Sequence, residues 1–249
     1  MTTYNQLSAE FYDLDKPEQD DEAFAFYAAY ARNAQGPILE PMCGSGRFLV
    51  RLLAMGLDIE GTDASPFMLA ACRRRAEARG LRAVLHQQRI EQTALERRYG
   101  LVFLPAGSIG LVTDAAALRA SLCGLYELML PGAKLVLEID RPPSPVSCAW
   151  PAGGRWIKRE DGAILVLSWL GQYAASEQIS YNLHRYELVR GGKIIETEIE
   201  ELDVRYHEPE AFETILRSVG FSEIQRWKAF EHSPPTEEDE GIVFECSRP

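Results

Sequence analysis

The chain has few residues of the two types that most often bind transition metals. It contains five cysteines and four histidines among 249 residues, and neither set shows the short paired spacing of a zinc site. The odd number of cysteines also argues against a disulfide framework. We therefore expect no metal, and we expect the cysteines to be reduced and mostly buried.

Positive charge and long apolar segments are also scarce. Lysine and arginine number 26 against 37 aspartates and glutamates, a net charge of −11. This balance argues against nucleic acid and anionic membranes as partners, since both require a basic surface. No apolar run reaches the roughly 18 residues of a membrane span, and the first residues do not form a signal peptide. These features favour a cytoplasmic protein, a monomer or homodimer, that acts on a neutral or cationic small molecule.

The most informative segment lies between Ile38 and Asp63. Apolar residues from Ile38 predict a strand that ends near Glu40. Gly44 and Gly46 then predict a tight turn where the backbone can approach a ligand, followed by a helix whose first N–H groups are unpaired. Asp63 stands where a second parallel strand would end, and its carboxylate can accept hydrogen bonds from both hydroxyls of a ribose. This order of elements predicts a nucleoside-binding site.

The glycine spacing separates two classes of nucleoside cofactor. A dinucleotide site has the pattern Gly-x-Gly-x-x-Gly, but Leu49 occupies the third glycine position here. The segment instead resembles the class I S-adenosylmethionine-dependent methyltransferases, whose pattern is acid-x-Gly-x-Gly-x-Gly. Glu40, Gly44 and Gly46 match this pattern. Met42 replaces the first glycine, so we expect a distorted or differently packed turn there.

The resemblance implies a fold and a domain organisation. It implies an α/β fold, with a Rossmann-like seven-stranded sheet, in a single domain over residues 1–249. The cofactor-binding core is expected over 36–142 and 207–249, after an N-terminal helical lid over 1–35. Residues 143–206 show the period-two pattern of an antiparallel β insertion after the fifth strand.

The insertion contains a strong hairpin signal at Gly191-Gly192. If these glycines are the two turn residues, Ile179 faces Val204, Tyr181 faces Leu202 and Arg185 faces Glu198. This register brings apolar side chains and opposite charges together across the strands.

The resemblance also implies how S-adenosylmethionine binds and which residues contact it. The expected cofactor-binding residues are Tyr12, Glu40, Met42, Gly44, Gly46, Asp63, Ala64, Met68, Gln88, Arg89, Ile90, Leu104, Ala106 and Ser108. Arg89 stands where the family commonly has an aspartate that accepts from the adenine amino group. Because an arginine cannot accept a hydrogen bond, we expect a backbone carbonyl or Gln88 to replace that contact.

The implied reaction is in-line transfer of a methyl group to an oxygen or nitrogen of a small-molecule acceptor, with S-adenosylhomocysteine as product. The resemblance is greatest to the group that includes sugar-amine N-methyltransferases. His184, Tyr181 and Tyr186 on the insertion are the catalytic candidates, since a hydroxyl or ammonium acceptor benefits from a general base. Asp140 and His232 are further candidates.

Several alternatives stay open at this stage. The chain is either an active enzyme or a catalytically silent cofactor-binding subunit, and a nicotinamide-dependent oxidoreductase is the third possibility. The insertion either roofs the acceptor site or forms a dimerisation sheet. Its aromatic residues either line an acceptor pocket or form core, as aromatics in antiparallel sheets usually do. These residues are Trp150, Trp156, Trp169 and Tyr173.

Overall fold

A computed structural model describes residues 4–18, 20–143 and 152–249. These residues form six α-helices and twelve strands. The helices are α1 Gln6–Asp15, α2 Asp21–Asn33, α3 Leu49–Ala54, α4 Pro66–Glu77, α5 Ala115–Leu128 and α6 Pro209–Val219. The strands are β1 Ile38–Pro41, β2 Ile59–Asp63, β3 Val84–Gln87, β4 Tyr99–Leu104, β5 Met129–Asp140, β6 Ala152–Lys158, β7 Ile164–Ala174, β8 Ile179–Arg190, β9 Lys193–Glu201, β10 Val204–Arg205, β11 Ser222–Lys228 and β12 Gly241–Ser247.

The main sheet has seven strands in the order β11-β12-β5-β4-β1-β2-β3. Strands β1 to β5 are parallel to one another, and β12 runs antiparallel to both of its neighbours, β5 and β11. Strand β4 is buried along its whole length, as expected for a central parallel strand with helices on both faces. The predicted α/β fold class is therefore confirmed.

Side-chain caps explain where several helices begin. The Asp20 carboxylate accepts hydrogen bonds from the backbone N–H groups of Glu22 and Ala23, so α2 begins at Asp21. The Ser65 hydroxyl accepts from the Met68 N–H at the start of α4.

The second sheet is antiparallel and contains β6 to β10, as predicted for the insertion. The predicted hairpin register is correct only next to the turn, where Val189 faces Ile194. Beyond a β-bulge the pairing shifts by one residue, so Arg185 faces Ile199 and not Glu198. The predicted facing of Ile179 with Val204 is likewise one residue off. A bulge adds one unpaired residue to one strand, and sequence alternation alone does not locate it.

Helix α1 packs on the inner face of the second sheet. Leu7 and Phe11 join Leu165, Tyr186 and Leu188 in a small apolar cluster. The helix begins after Asn5, whose side chain does not cap it. The Glu198 carboxylate of β9 does so instead, since it accepts from the N–H groups of Gln6, Leu7 and Ser8 at 3.1, 2.7 and 3.3 Å.

Three general features hold for residues 4–18, 20–143 and 152–249. Within these ranges, no helix combines the length and the hydropathy that a membrane crossing requires. No group of three or more His, Cys, Asp or Glu side chains in the same ranges is arranged to hold a metal ion. Cys43, Cys72, Cys123 and Cys246 are free thiols.

We predict that Glu198→Ala destabilises α1 locally by about 1–2 kcal/mol, because three N–H groups at the helix start lose a charged acceptor. Hydrogen exchange of the amides in residues 6–15 measures this change. Glu196→Ala is the matched control, since Glu196 is an exposed glutamate on the same strand. Equal exchange in the two variants would contradict the assignment.

Candidate functional site

The turn after β1 keeps a regular hydrogen-bonded shape despite Met42. The Cys43 N–H donates to the Thr62 carbonyl, and the Gly46 N–H donates to the Cys43 carbonyl, both at 2.9 Å. Met42 has φ +55°, the left-handed conformation that a glycine adopts more easily. This conformation costs a residue with a side chain about 1–2 kcal/mol. The Met42 side chain packs against the core cluster that contains Ile90 and Ile109, and this packing opposes the cost.

Asp63 at the end of β2 connects this turn to α4. One carboxylate oxygen accepts from the Gly44 N–H at 2.9 Å, and the other accepts from the Ser65 N–H at 2.8 Å. Burial raises the pKa of Asp63, against the lowering effect of these backbone bonds. Each carboxylate oxygen has a second lone pair, so Asp63 can still accept from a ligand.

Two adjoining cavities of about 210 and 220 Å³ lie at the carboxyl ends of the parallel strands. Together they form the cleft, and they share Tyr4, Tyr12, Met42, Gly44, Ser108 and Leu111. Twelve of the fourteen predicted cofactor residues line the cleft. They are Tyr12, Glu40, Met42, Gly44, Asp63, Ala64, Met68, Gln88, Arg89, Ile90, Ala106 and Ser108.

The other two predicted cofactor residues lie outside the cleft lining. Leu104 is fully buried in the core, because β4 ends one residue before the loop that lines the cleft. Gly46 lies against Cys72 of α4, where a side chain would collide with the thiol. Leu104 and Gly46 lie outside the cleft lining for the same reason, because both face the interior of the fold and support the residues next to them.

One end of the cleft carries opposite charges. Glu40 is buried, its Oε2 atom has no hydrogen-bond partner, and burial raises its pKa well above the ordinary value. Arg47 and Lys16 line the same cavity, and the Arg47 guanidinium donates to the Tyr12 hydroxyl at 2.6 Å. Neither cation was predicted. Arg47 follows Gly46 directly, so its position in the turn was the available signal.

The other end of the cleft contains the segment after β3. The Gln88 side chain bonds the backbone of Ala94 twice, at 2.9 and 3.2 Å, so it holds its own loop in place. Arg89 forms an ion pair with Glu91, which also lines the cleft. Glu91 is thus the carboxylate of this segment, two residues after the position where the family pattern has one.

The three predicted catalytic residues of the insertion do not line the cleft. Tyr181 points to solvent and donates to Glu177 at 2.7 Å. Tyr186 is buried against Phe11 of α1, and its hydroxyl lies 3.3 Å from His184 Nδ1. The insertion contributes Leu202 and Val204 to the cleft instead. Helix α1 covers the inner face of the sheet, so residues at the centre of β8 are separated from the cleft.

Two carboxylates at the end of β5 lie beside the loop that follows β4. Asp140 lines the cleft, and its carboxylate lies against Gly107, where a side chain would not fit. Burial and the nearby Glu240 raise the pKa of Asp140. Glu138 accepts from the Ala106 N–H at 2.9 Å and from the Tyr27 hydroxyl at 3.3 Å. Burial raises the pKa of Glu138 to about 7.

The remaining predicted residues lie elsewhere. His232 is at the amino ends of β4 and β5, beside a larger cavity of about 580 Å³. Its Nε2 is 3.0 Å from the Tyr30 hydroxyl, which donates to Glu245 at 2.7 Å. These polar groups bond one another and lie at the opposite end of the sheet from Asp63, so we place the functional site in the smaller cleft.

Among the described residues of the insertion, Trp156, Trp169 and Tyr173 do not form one pocket wall. Trp156 is exposed on the outer face of the second sheet, and Trp169 lies over Gly153. Tyr173 contacts Tyr206 edge to face at 5.6 Å, near Asp140. Trp150 lies outside the described residues.

Comparison with known proteins agrees with this geometry. The methyltransferase-domain family matches residues 38–132, which run from β1 into β5 and include the glycine turn, Asp63 and Glu91. The predicted resemblance is therefore confirmed, and the order of the seven strands extends it beyond the matched residues to the end of the chain.

Individual proteins are also similar to this chain in sequence or in structure. The demethylmenaquinone methyltransferase of Thermus thermophilus is 34% identical over 116 residues, 43% of this chain and 48% of that protein. The chain thus spans about half the length of curated relatives it matches. The CcbJ methyltransferase of Streptomyces caelestis superposes with a TM-score of 0.78 at 23% identity, over 99% of this chain and 98% of that one. A sugar N-methyltransferase of Streptoalloteichus gives 0.74 at 19% identity, over 100% and 96%. The structural likeness establishes the fold.

We predict that Glu138→Gln weakens the pH dependence of stability. The folded-state pKa of about 7 lies above the ordinary 4.5, so the neutral form is favoured in the folded protein. The protonated Glu138 side chain therefore adds to the free energy of unfolding. This added stability is fully present below pH 4.5 and is lost as the pH rises through 7. Between about pH 5 and about pH 8 the variant should lose less unfolding free energy than the wild type, by on the order of 2–3 kcal/mol. Urea unfolding at both pH values measures this. Glu127→Gln, at an exposed site, is the control, and parallel curves for Glu138→Gln and the wild type would refute the prediction.

Proposed function

We propose that the protein transfers a methyl group from S-adenosylmethionine to an oxygen or nitrogen atom of a small-molecule acceptor. The observation that carries this proposal is the composition of the cleft. A ribose-type acceptor, Asp63, lies at one end, and a buried carboxylate, Glu40, shares the other end with Arg47 and Lys16.

The residues present fit this cofactor. A Cβ added at Gly44 would meet open space, so the turn leaves room for a ligand beside Asp63. The methionine end of the cofactor is a zwitterion. Glu40, whose Oε2 lacks a partner, would hold the ammonium group, while Arg47 and Lys16 would hold the carboxylate. A dinucleotide would instead place a diphosphate near this turn, and a buried carboxylate there disfavours an oxidoreductase.

For the adenine end we propose Glu91 as the acceptor of the amino group. Glu91 lines the same cavity as Asp63 and Ile90, whereas the Gln88 side chain is bonded to Ala94. Arg89 cannot accept a hydrogen bond, but its ion pair holds the Glu91 carboxylate in place.

The acceptor side of the cleft is lined by Asp140, Gly107, Leu202 and Val204. S-adenosylmethionine supplies an electrophilic sulfonium methyl group, so alignment of the acceptor contributes most of the catalysis, about 7–11 kcal/mol. Asp140 would orient the acceptor and take the proton that an ammonium or hydroxyl group loses. Its raised pKa makes it a stronger base than an ordinary aspartate. Solved relatives described as a sugar N-methyltransferase and an amino pentose methyltransferase support an amine acceptor.

We predict that Asp63→Ala lowers the affinity for S-adenosylmethionine by roughly 1.5–3 kcal/mol, because a charged acceptor is lost. Asp63→Asn keeps one accepting oxygen and should lose less. Calorimetric titration measures both variants against Asp58→Asn, an exposed aspartate at the start of β2. Unchanged affinity in Asp63→Ala would defeat the ribose assignment, and binding of a nicotinamide dinucleotide in place of S-adenosylmethionine would defeat the proposed function.

We predict that Asp140→Asn lowers turnover by about 100- to 10,000-fold and leaves cofactor affinity unchanged. Methyl-labelled S-adenosylmethionine with pooled small amines and alcohols provides the assay. The wild-type rate should fall at acidic pH as Asp140, whose pKa is raised, becomes protonated. The pH–rate profile of Asp140→Asn should lack this acidic decrease. His184→Ala, Tyr181→Phe and Tyr186→Phe are the controls. If Asp140→Asn has normal turnover and one of the control variants loses turnover, the catalytic residue lies on the insertion and not at Asp140. A wild-type protein that binds the cofactor but labels nothing would favour a silent subunit.

A further inference from the structure

A cavity of about 580 Å³ lies at the amino ends of β4 and β5, at the opposite end of the main sheet from Asp63. It is larger than either cavity of the cleft, and its volume falls within the roughly 300–1,000 Å³ of small-molecule sites. We call it the amino-end cavity. The proposed methyl transfer does not use it, because the residues of that site lie at the carboxyl ends of the strands.

Most of the lining of the amino-end cavity is apolar. Ala29 and Ala34 come from α2 and the loop after it, and Leu101 and Leu130 come from the starts of β4 and β5. A flat apolar ring system can pack against such side chains. A sugar or a phosphate would leave polar groups without partners there, at a cost in desolvation. The walls therefore favour a ligand with an aromatic body.

The polar groups of the cavity meet at Glu245 of β12, whose side chain is only 13% exposed. Its Oε2 atom accepts from the Tyr30 hydroxyl at 2.7 Å and from Trp227 Nε1 at 3.0 Å, and its Oε1 atom accepts from the Lys134 ammonium group. Burial alone would raise the pKa of Glu245, but these donors together hold it below its ordinary value. The carboxylate is therefore charged and already supplied with donors, so it does not require a cationic ligand.

The Lys134 ammonium group has donors that the protein does not use. It carries three N–H groups and gives one of them to Glu245, while its side chain stays 49% exposed. The single proton of the neighbouring Tyr30 hydroxyl goes to Glu245, so that hydroxyl has no further donor to offer. Among the contacts of the described residues, two Lys134 donors are left for a ligand. A ligand that uses them must bring a hydrogen-bond acceptor.

The ion pair of Lys134 and Glu245 has no net charge, and this favours an uncharged acceptor. An anion would lie close to the Glu245 carboxylate and an ammonium group close to Lys134, so each would meet a like charge. A carbonyl oxygen accepts from an ammonium group without either repulsion. We propose that the amino-end cavity binds a small uncharged aromatic carbonyl compound, with its ring among the apolar walls and its oxygen on Lys134.

Equilibrium dialysis of the full chain against three probes that share one ring system tests the proposal. The probes are 2-acetylnaphthalene, which is an uncharged ketone, 2-naphthoate and 2-naphthylmethylammonium. We expect the ketone to bind more tightly than either ion by about 10-fold, the ratio that one well-placed hydrogen bond to a charged group gives. Saturating S-adenosylhomocysteine should leave its affinity unchanged. Failure of the ketone to bind, equal binding of an ion, or displacement by S-adenosylhomocysteine would overturn the proposal.

Two variants locate the bound ketone. Lys134→Met keeps the side-chain bulk but removes the donors, so it should weaken binding by about 10- to 100-fold. Lys193→Met, at an exposed lysine of the β8–β9 hairpin, is its control. Ala29→Phe should fill the cavity and abolish binding, whereas Ala78→Phe, at an exposed alanine, should not.

Thermal unfolding shows whether each variant is folded. Lys134→Met changes a half-exposed side chain, so it tests the proposal even if Ala29→Phe does not fold. Wild-type affinity for the ketone in Lys134→Met, or in folded Ala29→Phe, would place the ketone outside the amino-end cavity and overturn the proposal.

Discussion

The carboxylate of Asp63 accepts hydrogen bonds from the backbone of the glycine turn and from the backbone at the start of α4. Two loops that follow neighbouring parallel strands are thereby fixed to one charged group. Ser65 extends this connection, because its hydroxyl caps α4 and donates to the Tyr4 carbonyl at 2.5 Å. The glycine turn, helix α4 and the N-terminal segment thus depend on a single partly buried carboxylate, and the cleft is the space that they enclose.

The main sheet was predictable because its signals are local. The first strand, the glycine turn and Asp63 occupy 26 consecutive residues, and their order specifies a parallel pair with a ligand site at its carboxyl end. The signal for the hairpin at Gly191-Gly192 is also local, and the predicted strand register is correct for the pairs next to the turn. Beyond the bulge the register depends on packing against α1, which is distant in sequence.

The site residues divide in the same way. Most of the predicted residues next to the glycine turn or at strand ends line the cleft. Lys16 and Tyr4 were missed because they reach the cleft through the docking of α1 on the insertion, a contact between segments almost 200 residues apart. The same docking places Tyr186 under α1, so the residues predicted as catalytic lie outside the cleft although their sheet was predicted correctly.

The attachment of α1 by Glu198 has a consequence for ligand binding. The insertion lines the cleft with Leu202 and Val204, and it also holds the helix that carries Tyr12 and leads to Lys16, which line the same cavity. Any ligand that orders one of these elements therefore lowers the entropic cost of ordering the other. Under the proposed methyl transfer, cofactor and acceptor are therefore expected to bind with a shared coupling free energy, so that each raises the affinity of the protein for the other by the same factor.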